Sequence, residues 1–347
     1  MNTTWQAYLN NQGAHIENNK ISHFGELNQE MDAVTQGNVI ADLSHFGLIS
    51  ATGDDAQTFL HNQFTNDLKR VDAQHSQLSA YCNPKGRMLA LFRVFKRNDT
   101  YYLSLPQETL DATLKRLRMF VLMSKVSLDD ASASLVHIGI SGPDAPALIT
   151  QRFATAPNDI NETAQIDGVT IIRVAGPQPR FELYGELPDI QALWEDWRTT
   201  LTPIGASAWE LLDIHAGIPV LHDANVEAFV PQMVNLEAIG GLSFTKGCYP
   251  GQEIVARMKY LGKLKRRMYL AHVDTDTPPA PNGAIMAHAD SGERKVGEIV
   301  TAQHTPQGGV DLLAVIEIES ATHQPLFLGA IDGPAIQLQE LPYPINA

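Results

Sequence analysis

Cysteine is almost missing from this chain: Cys82 and Cys248 are the only two in 347 residues, too few for a disulfide framework and suited to a reducing compartment. Neither has a CxxC or CxxH neighbour, so no structural-zinc or cluster-ligating spacing can be drawn and no metal site is expected. Long apolar runs are missing too. No window reaches the roughly 18 apolar residues that a membrane span needs, and the start, MNTTWQAYLNNQGAHIENN, lacks the basic stretch and apolar run of a secretion signal. The expected location is the cytoplasm. Positive charge is scarce as well: 25 basic residues face 39 acidic ones, a net charge of −14. Such a surface repels phosphate backbones and anionic lipid, so any nucleic-acid contact must be local. Charge runs and low-complexity tracts are absent, and the 44% apolar and 18% charged fractions are those of a globular protein.

What is present is a regular alternation of short strands and amphipathic helices. A chain of this length usually divides into two or three domains, and three are predicted here, over 1–132, 133–262 and 263–347. In the first, Phe46 to Thr52 reads as a strand, Asp54 to Phe64 as a helix, and Met88 to Phe95 with Tyr101 to Leu105 as a hairpin around the turn signal Arg97 to Thr100. Pro106 then opens a long helix through about Met123. The second repeats the order: a strand at Leu135 to Ser141, a helix near Pro143, strands at Val169 to Val174 and Arg180 to Tyr184, and a helix from Pro188 to Leu201. Ala154 to Thr163 is the one plausible linker. The third is β-rich, with Met268 to Val273, Lys295 to Thr301 and Val310 to Ile318 broken by TDTPPAPNG and TPQGG, and reads as a small barrel or sandwich. Spacers between many strands are too short for crossover helices, so the fold class is α+β and a doubly wound parallel sheet is disfavoured.

Unusual local chemistry is concentrated in residues 218–267, above all in KGCYPGQE, Lys246 to Glu253. Pro250 and Gly251 form a turn signal ahead of a helical pattern from Gln252 to Leu261, which sets Cys248 in a tight loop before a helix. A thiol there, with Lys246 two residues away and Arg257 in the following helix, is placed where its thiolate is favoured. Two readings stay open: a nucleophile or sulfur carrier, and an inert buried cysteine. His215, His222 and His272 are within conceivable reach in the fold, but no Ser-His-Asp or Cys-His order stands out and no catalytic triad is assigned. Glu253 is either an acceptor for a proton or a polar ring edge, or a surface carboxylate complementing the helix dipole.

Seven basic residues, Lys246, Arg257, Lys259, Lys263, Lys265, Arg266 and Arg267, stand within 22 positions against the single acid Glu253. This basic island is either a docking site for a polyanion, such as a polyglutamyl folate tail or tRNA, or a solvated face. The GDDA run at Gly53 to Ala56 reads as a helix start whose aspartates satisfy free backbone donors. Phe46 and Trp209 offer flat rings for a heterocycle, or serve as core packing.

KGCYPGQE together with GIPVLHDANVEAFVPQMVNLEAIGGLSF closely resembles the signature segment of the YgfZ family of folate-binding, tRNA-modification-linked proteins. GLISATGDDAQTFLHNQFTNDL and AYCNPKGRMLALFRVF resemble that family's opening domain, so the likeness covers roughly residues 40 to 330. It implies a T-protein-like arrangement of three domains around a central opening that admits tetrahydrofolate, or a one-carbon derivative of it, ending in a small β-barrel. It also implies a role in maintaining iron–sulfur client enzymes, one of which methylthiolates tRNA, with Cys248 as the functional thiol and Lys246 beside it. By register it places Phe46 and Trp209 at the folate; Glu253, read from its own position in the first turn of the helix, is the third folate candidate, and contact with tRNA would fall to Lys259, Lys263, Lys265, Arg266 and Arg267. Phe46 stands where the family has tryptophan, which keeps a π face but loses the indole N–H donor. Where the T-protein has a catalytic aspartate, this chain has Leu89 and Ala90. A positioned proton carrier is worth about 10²- to 10⁴-fold, so one-carbon transfer from an aminomethyl donor is the disfavoured alternative. The other alternative is a tRNA-binding accessory protein.

Overall fold

Apolar alternation produces strands where the pattern places them. Phe46–Thr52 is a strand, and Met88–Arg97 pairs antiparallel with Thr100–Pro106. Asn98 takes a φ of 53° in the two-residue connection, the left-handed geometry that tight hairpins need. Pro106 caps the next helix, Gln107–Arg118, which stops short of Met123. There Leu122 takes a left-handed φ of 44°, and five successive apolar residues from Met119 offer no helical stripe to bury. The aspartates of GDDA do not cap their own helix. Asp55 instead accepts from the backbone N–H of Lys125 at 2.8 Å, because the chain returns at Lys125 beside Gly53, whose φ is 109°.

The structure, a computed structural model, describes residues 2–18, 20–25, 27–260, 262–289 and 292–345. It forms two compact units, each assembled from separated segments. One comprises Met1–Leu60, Leu68–Gln77 and Phe92–Leu212, the other His61–Asp67, Leu78–Leu91 and Asp213–Ala347. The first holds a six-stranded sheet in the order Thr163–Ile166, Val169–Val174, Arg180–Gly185, Val136–Ser141, Val39–Asp42 and Thr202–Ile204. All pairs are antiparallel except the last. Val39–Asp42 thus joins a sheet whose other strands lie beyond residue 135. A five-stranded sheet orders Gln77–Cys82, Met88–Arg97, Thr100–Pro106, Phe46–Thr52 and Ser127–Asp130. Ile40, Ile138, Ile140, Phe181 and Leu183 project from the first sheet into a core with Trp5, Leu9 and Trp194. Burying the Trp5 indole requires a partner for its N–H, and Asp42 supplies one at 2.7 Å.

Gly139 marks the tightest packing of that sheet. A Cβ there would lie 2.3 Å from the Trp209 ring, a separation no relaxed core tolerates. Gly139→Ala is expected to lower stability by about 1–3 kcal/mol through overpacking, read as a lower urea midpoint at unchanged m-value.

The second unit carries a curled antiparallel sheet in the order Phe327–Leu328, Ala284–Ala289, Gly292–His304, Val310–Glu317, Arg266–Val273 and Ile336–Gln339. Its two edge segments meet at one bridge, Phe327 to Ala335, so the barrel of the sequence pattern is a nearly closed curled sheet. Among the described residues no helix is long and apolar enough to cross a membrane.

Candidate functional site

The KGCYPGQE segment lies wholly in the second unit. Its turn is fixed by backbone approach: Gly251 has φ 83°, and a Cβ there would sit 2.5 Å from the Asn83 carbonyl oxygen and 2.6 Å from the Gly86 Cα. Only glycine allows both the conformation and the contact. The turn then enters helix Gln252–Tyr260; Leu261, the end of the expected helix, lies outside the described residues. Tyr249 and Val255 sink into a core with Cys82, Leu91 and Phe229, pinning the segment on both sides of the Pro250–Gly251 turn. Between these anchors Cys248 faces outward and is exposed, which removes the buried reading of this thiol.

Lys246 points the other way. It is 8% exposed, and its ammonium donates to the carbonyls of His61 and Phe64. A cation is well placed there, because the last carbonyls of helix Ala56–Gln63 have no partner within the helix. Burial pushes the amine down to about 8, against the opposing pull of Asp67 and of Cys248. A buried lysine tuned toward neutrality beside an exposed cysteine is the kind of pairing found where chemistry occurs.

His61 completes the neighbourhood. Its Nδ1 stands 3.3 Å from Asp67 Oδ1, and its Nε2 faces the backbone of Gly247, at 3.7 Å from where a Cβ would be. Neither residue stands out in the sequence, where 185 positions separate His61 from Lys246; the signal was there only as FLHNQFTND, an ordinary helix end. The histidines that sequence reasoning singled out go elsewhere: His215 and His272 converge on Asp311, each at 2.8 Å.

Glu253 is exposed in the first turn of its helix. Much of the basic island is engaged locally. Lys259 lies 3.7 Å over the Phe244 ring, Arg266 pairs with Glu317 at 3.1 Å and Arg267 with Glu237 at 3.2 Å. Leu89 and Ala90 sit in strand Met88–Arg97, half-buried and buried.

In the first unit, Phe46 and Trp209 occupy different settings. Phe46 is half-buried, 4.5 Å from the His45 ring and 6.1 Å from that of His137, and lines a cavity of about 10 Å³ with Ser44, Ser104 and Tyr184. That volume is the room of one water. Trp209 is 1% exposed, its ring covered by the Arg180 guanidinium at 4.5 Å and packed on Gly139. Next to Phe46 runs a charged network that no local motif announces. Glu182 Oε2 accepts from the Tyr184 hydroxyl at 2.9 Å and lies 3.4 Å from both Arg93 Nε and His137 Nε2. Burial opposes its ionisation, yet Arg93, His137 and the Tyr184 hydroxyl outweigh that and hold the carboxyl far below its ordinary range. Its Oε1 has no hydrogen bond or ion pair among the described residues, and can accept from a ligand amine.

The fold is shared with an aminomethyltransferase. The structure of glycine cleavage system aminomethyltransferase T from Bartonella henselae superposes with a TM-score of 0.77 at 15% identity, over 97% of this chain and 96% of that one. The model of the GCVT N-terminal domain matches residues 6–239. Among curated relatives, the tRNA-modifying protein YgfZ of Colwellia psychrerythraea is 33% identical over 277 residues, 80% of this chain and 85% of that protein. The YgfZ of Photorhabdus laumondii is 29% identical over 308 residues, 88% and 93% of the two chains. This is therefore a chain of the GCVT domain family, with the aminomethyltransferase fold. Within that class it belongs to the YgfZ family.

Proposed function

We propose that the chain binds tetrahydrofolate, or a one-carbon derivative of it, and acts through the Cys248 thiol to keep iron–sulfur client enzymes active, thereby supporting tRNA modification such as methylthiolation. The observation that carries this reading is the outward-facing Cys248, held by a glycine-dependent turn and backed by the buried, pKa-lowered Lys246. Relatives that bear the name tRNA-modifying protein support the process. Family and fold support the folate. A pterin ring presents amine and ring N–H donors along one edge, which suits the free Oε1 of an ionised Glu182, and the Phe46 face suits stacking. Entry there requires the Phe46 side chain to move, given the small cavity beside it. Trp209 then supports the site indirectly by packing against Arg180, and Glu253 is an exposed acceptor on the helix that follows the thiol's turn. One-carbon transfer is the weaker reading, since Leu89 and Ala90 supply no proton carrier. A tRNA contact through Lys259, Lys263, Lys265, Arg266 and Arg267 has fewer uncommitted charges than the sequence offers, because Arg266 and Arg267 are paired.

Two measurements test the parts separately. Titration calorimetry with tetrahydrofolate is expected to give saturable 1:1 binding, weakened by about tenfold or more, or about 1.4 kcal/mol, in Phe46→Ala; no heat at millimolar folate discards the ligand. In a strain lacking the protein, Cys248→Ala is expected to leave methylthiolated tRNA at the level of the empty vector, and full restoration discards the thiol.

A further inference from the structure

A cavity of about 1120 Å³ opens in the second unit, larger than the roughly 300–1,000 Å³ usual for small-molecule sites. Arg87, Lys263, Lys265, Arg266 and Arg294 all line it. The carboxylates there are Glu298, Glu317 and Glu319, so with His323 neutral the wall carries +2 on a chain whose net charge is −14. Two of those carboxylates are already engaged. Glu317 is shared by Arg266 at 3.1 Å and Arg294 at 2.6 Å, and Glu298 pairs with Lys295 at 2.8 Å. Lys263 and Lys265 are exposed and have no side-chain hydrogen bond or ion pair among the described residues.

Four of the five cations, all but Lys263, are anchored through hydrogen bonds or paired strands. Arg87 is held by its bond to the Ala228 carbonyl. Lys265 is tied by its own carbonyl, which accepts from Ile318 N–H at 2.9 Å, and Arg266 and Arg294 stand on paired strands. Like charges gathered in one cavity repel one another, at several kcal/mol per pair where water is excluded and less where it enters. With Arg266 and Arg294 sharing Glu317, the exposed Lys263 and Lys265 leave a positive surplus that an anion would neutralise. Among the lining residues, Met233 and Leu264 are partly exposed apolar side chains that can meet the body of such an anion.

We propose that this cavity binds a compact organic polyanion, a molecule with two or more phosphate or carboxylate groups on an apolar or aromatic body. Lys263 and Lys265 meet its charged groups as point charges, while the unused N–H edges of Arg87 and Arg294 supply directional bonds. The body lies along Met233 and Leu264. This inference does not rest on the folate or the thiol.

Calorimetry on the intact chain with ATP and, separately, with γ-linked triglutamate distinguishes a phosphate from a carboxylate source. At least one of them is expected to bind saturably at 1:1, and more weakly as salt rises. Lys263→Gln/Lys265→Gln is expected to weaken it about tenfold or more, about 1.4 kcal/mol. Lys115→Gln/Lys125→Gln, exposed cations that do not line the cavity, is expected to leave it within about twofold. The proposal is overturned if neither probe binds at millimolar concentration, if the Lys263/Lys265 variant binds as tightly as the parent, or if only bulk tRNA responds to those lysines.

Discussion

Glu182→Ala is expected to lose about 3–5 kcal/mol of stability, the cost of removing one partner from a buried ion pair. The reason lies in what is left behind. Arg93 is 9% exposed, so its guanidinium is left as a charge in the core with the neutral Asn161 side chain as a partner at 2.9 Å. Arg93→Met leaves a carboxyl instead, which can take up a proton, and should cost less as the solution is acidified. The pH dependence follows from the sign of the shift. The folded carboxyl is held far below its unfolded value of 4.5, so its contribution is complete above about pH 4.5 and is lost as pH falls below it. Urea titrations between pH 3 and 7 should therefore show a steeper acid loss for the parent than for Glu182→Ala. Equal slopes would mean that Glu182 is not ionised in the native state. An Arg93→Leu/Glu182→Leu chain should recover much of the loss, because apolar replacement of a whole buried pair is often neutral.

Native alkylation with iodoacetamide at pH 8 should place one label on Cys248 and none on Cys82, with rates differing by about a thousandfold or more. Cys82 is 1% exposed, and burial pushes its thiol up to about 12, which leaves about one thiolate in ten thousand at that pH. Cys248 is exposed. Peptide mass spectrometry reads the two sites directly, and in denaturant both should label. Comparable native labelling of Cys82 would mean that the core around Tyr249 and Val255 opens readily, and with it the support of the Cys248 turn. Because the thiol bears no structural load in this arrangement, Cys248→Ala should melt within about 0.5 kcal/mol of the parent, so that any loss of tRNA modification in that variant reports on chemistry and not on folding.

Phe46–Thr52, Val169–Val174 and the hairpin around Asn98 were readable because strand alternation and turn chemistry act over a few residues. The Pro250–Gly251 turn ahead of a helix was readable for the same reason, and it alone announced a loop thiol. Short strands with little alternation were not. Val39–Asp42 is buried at every position and found its sheet by pairing with Val136–Ser141 and Thr202–Ile204, about a hundred residues or more along the chain.

The site divides along the same line. By itself the sequence determined the identity of the thiol, its glycine hinge and the lysine beside it, since these are neighbours in the chain. Tertiary structure alone decided that Lys246 turns inward to the carbonyls of His61 and Phe64 while Cys248 turns outward, that Trp209 lies under Arg180, and that Arg93, His137 and Glu182 share one buried charge network. Burial and electrostatics are properties of three-dimensional neighbourhoods, and residues separated by 29 to 185 positions carry no periodic trace of the partner they will meet.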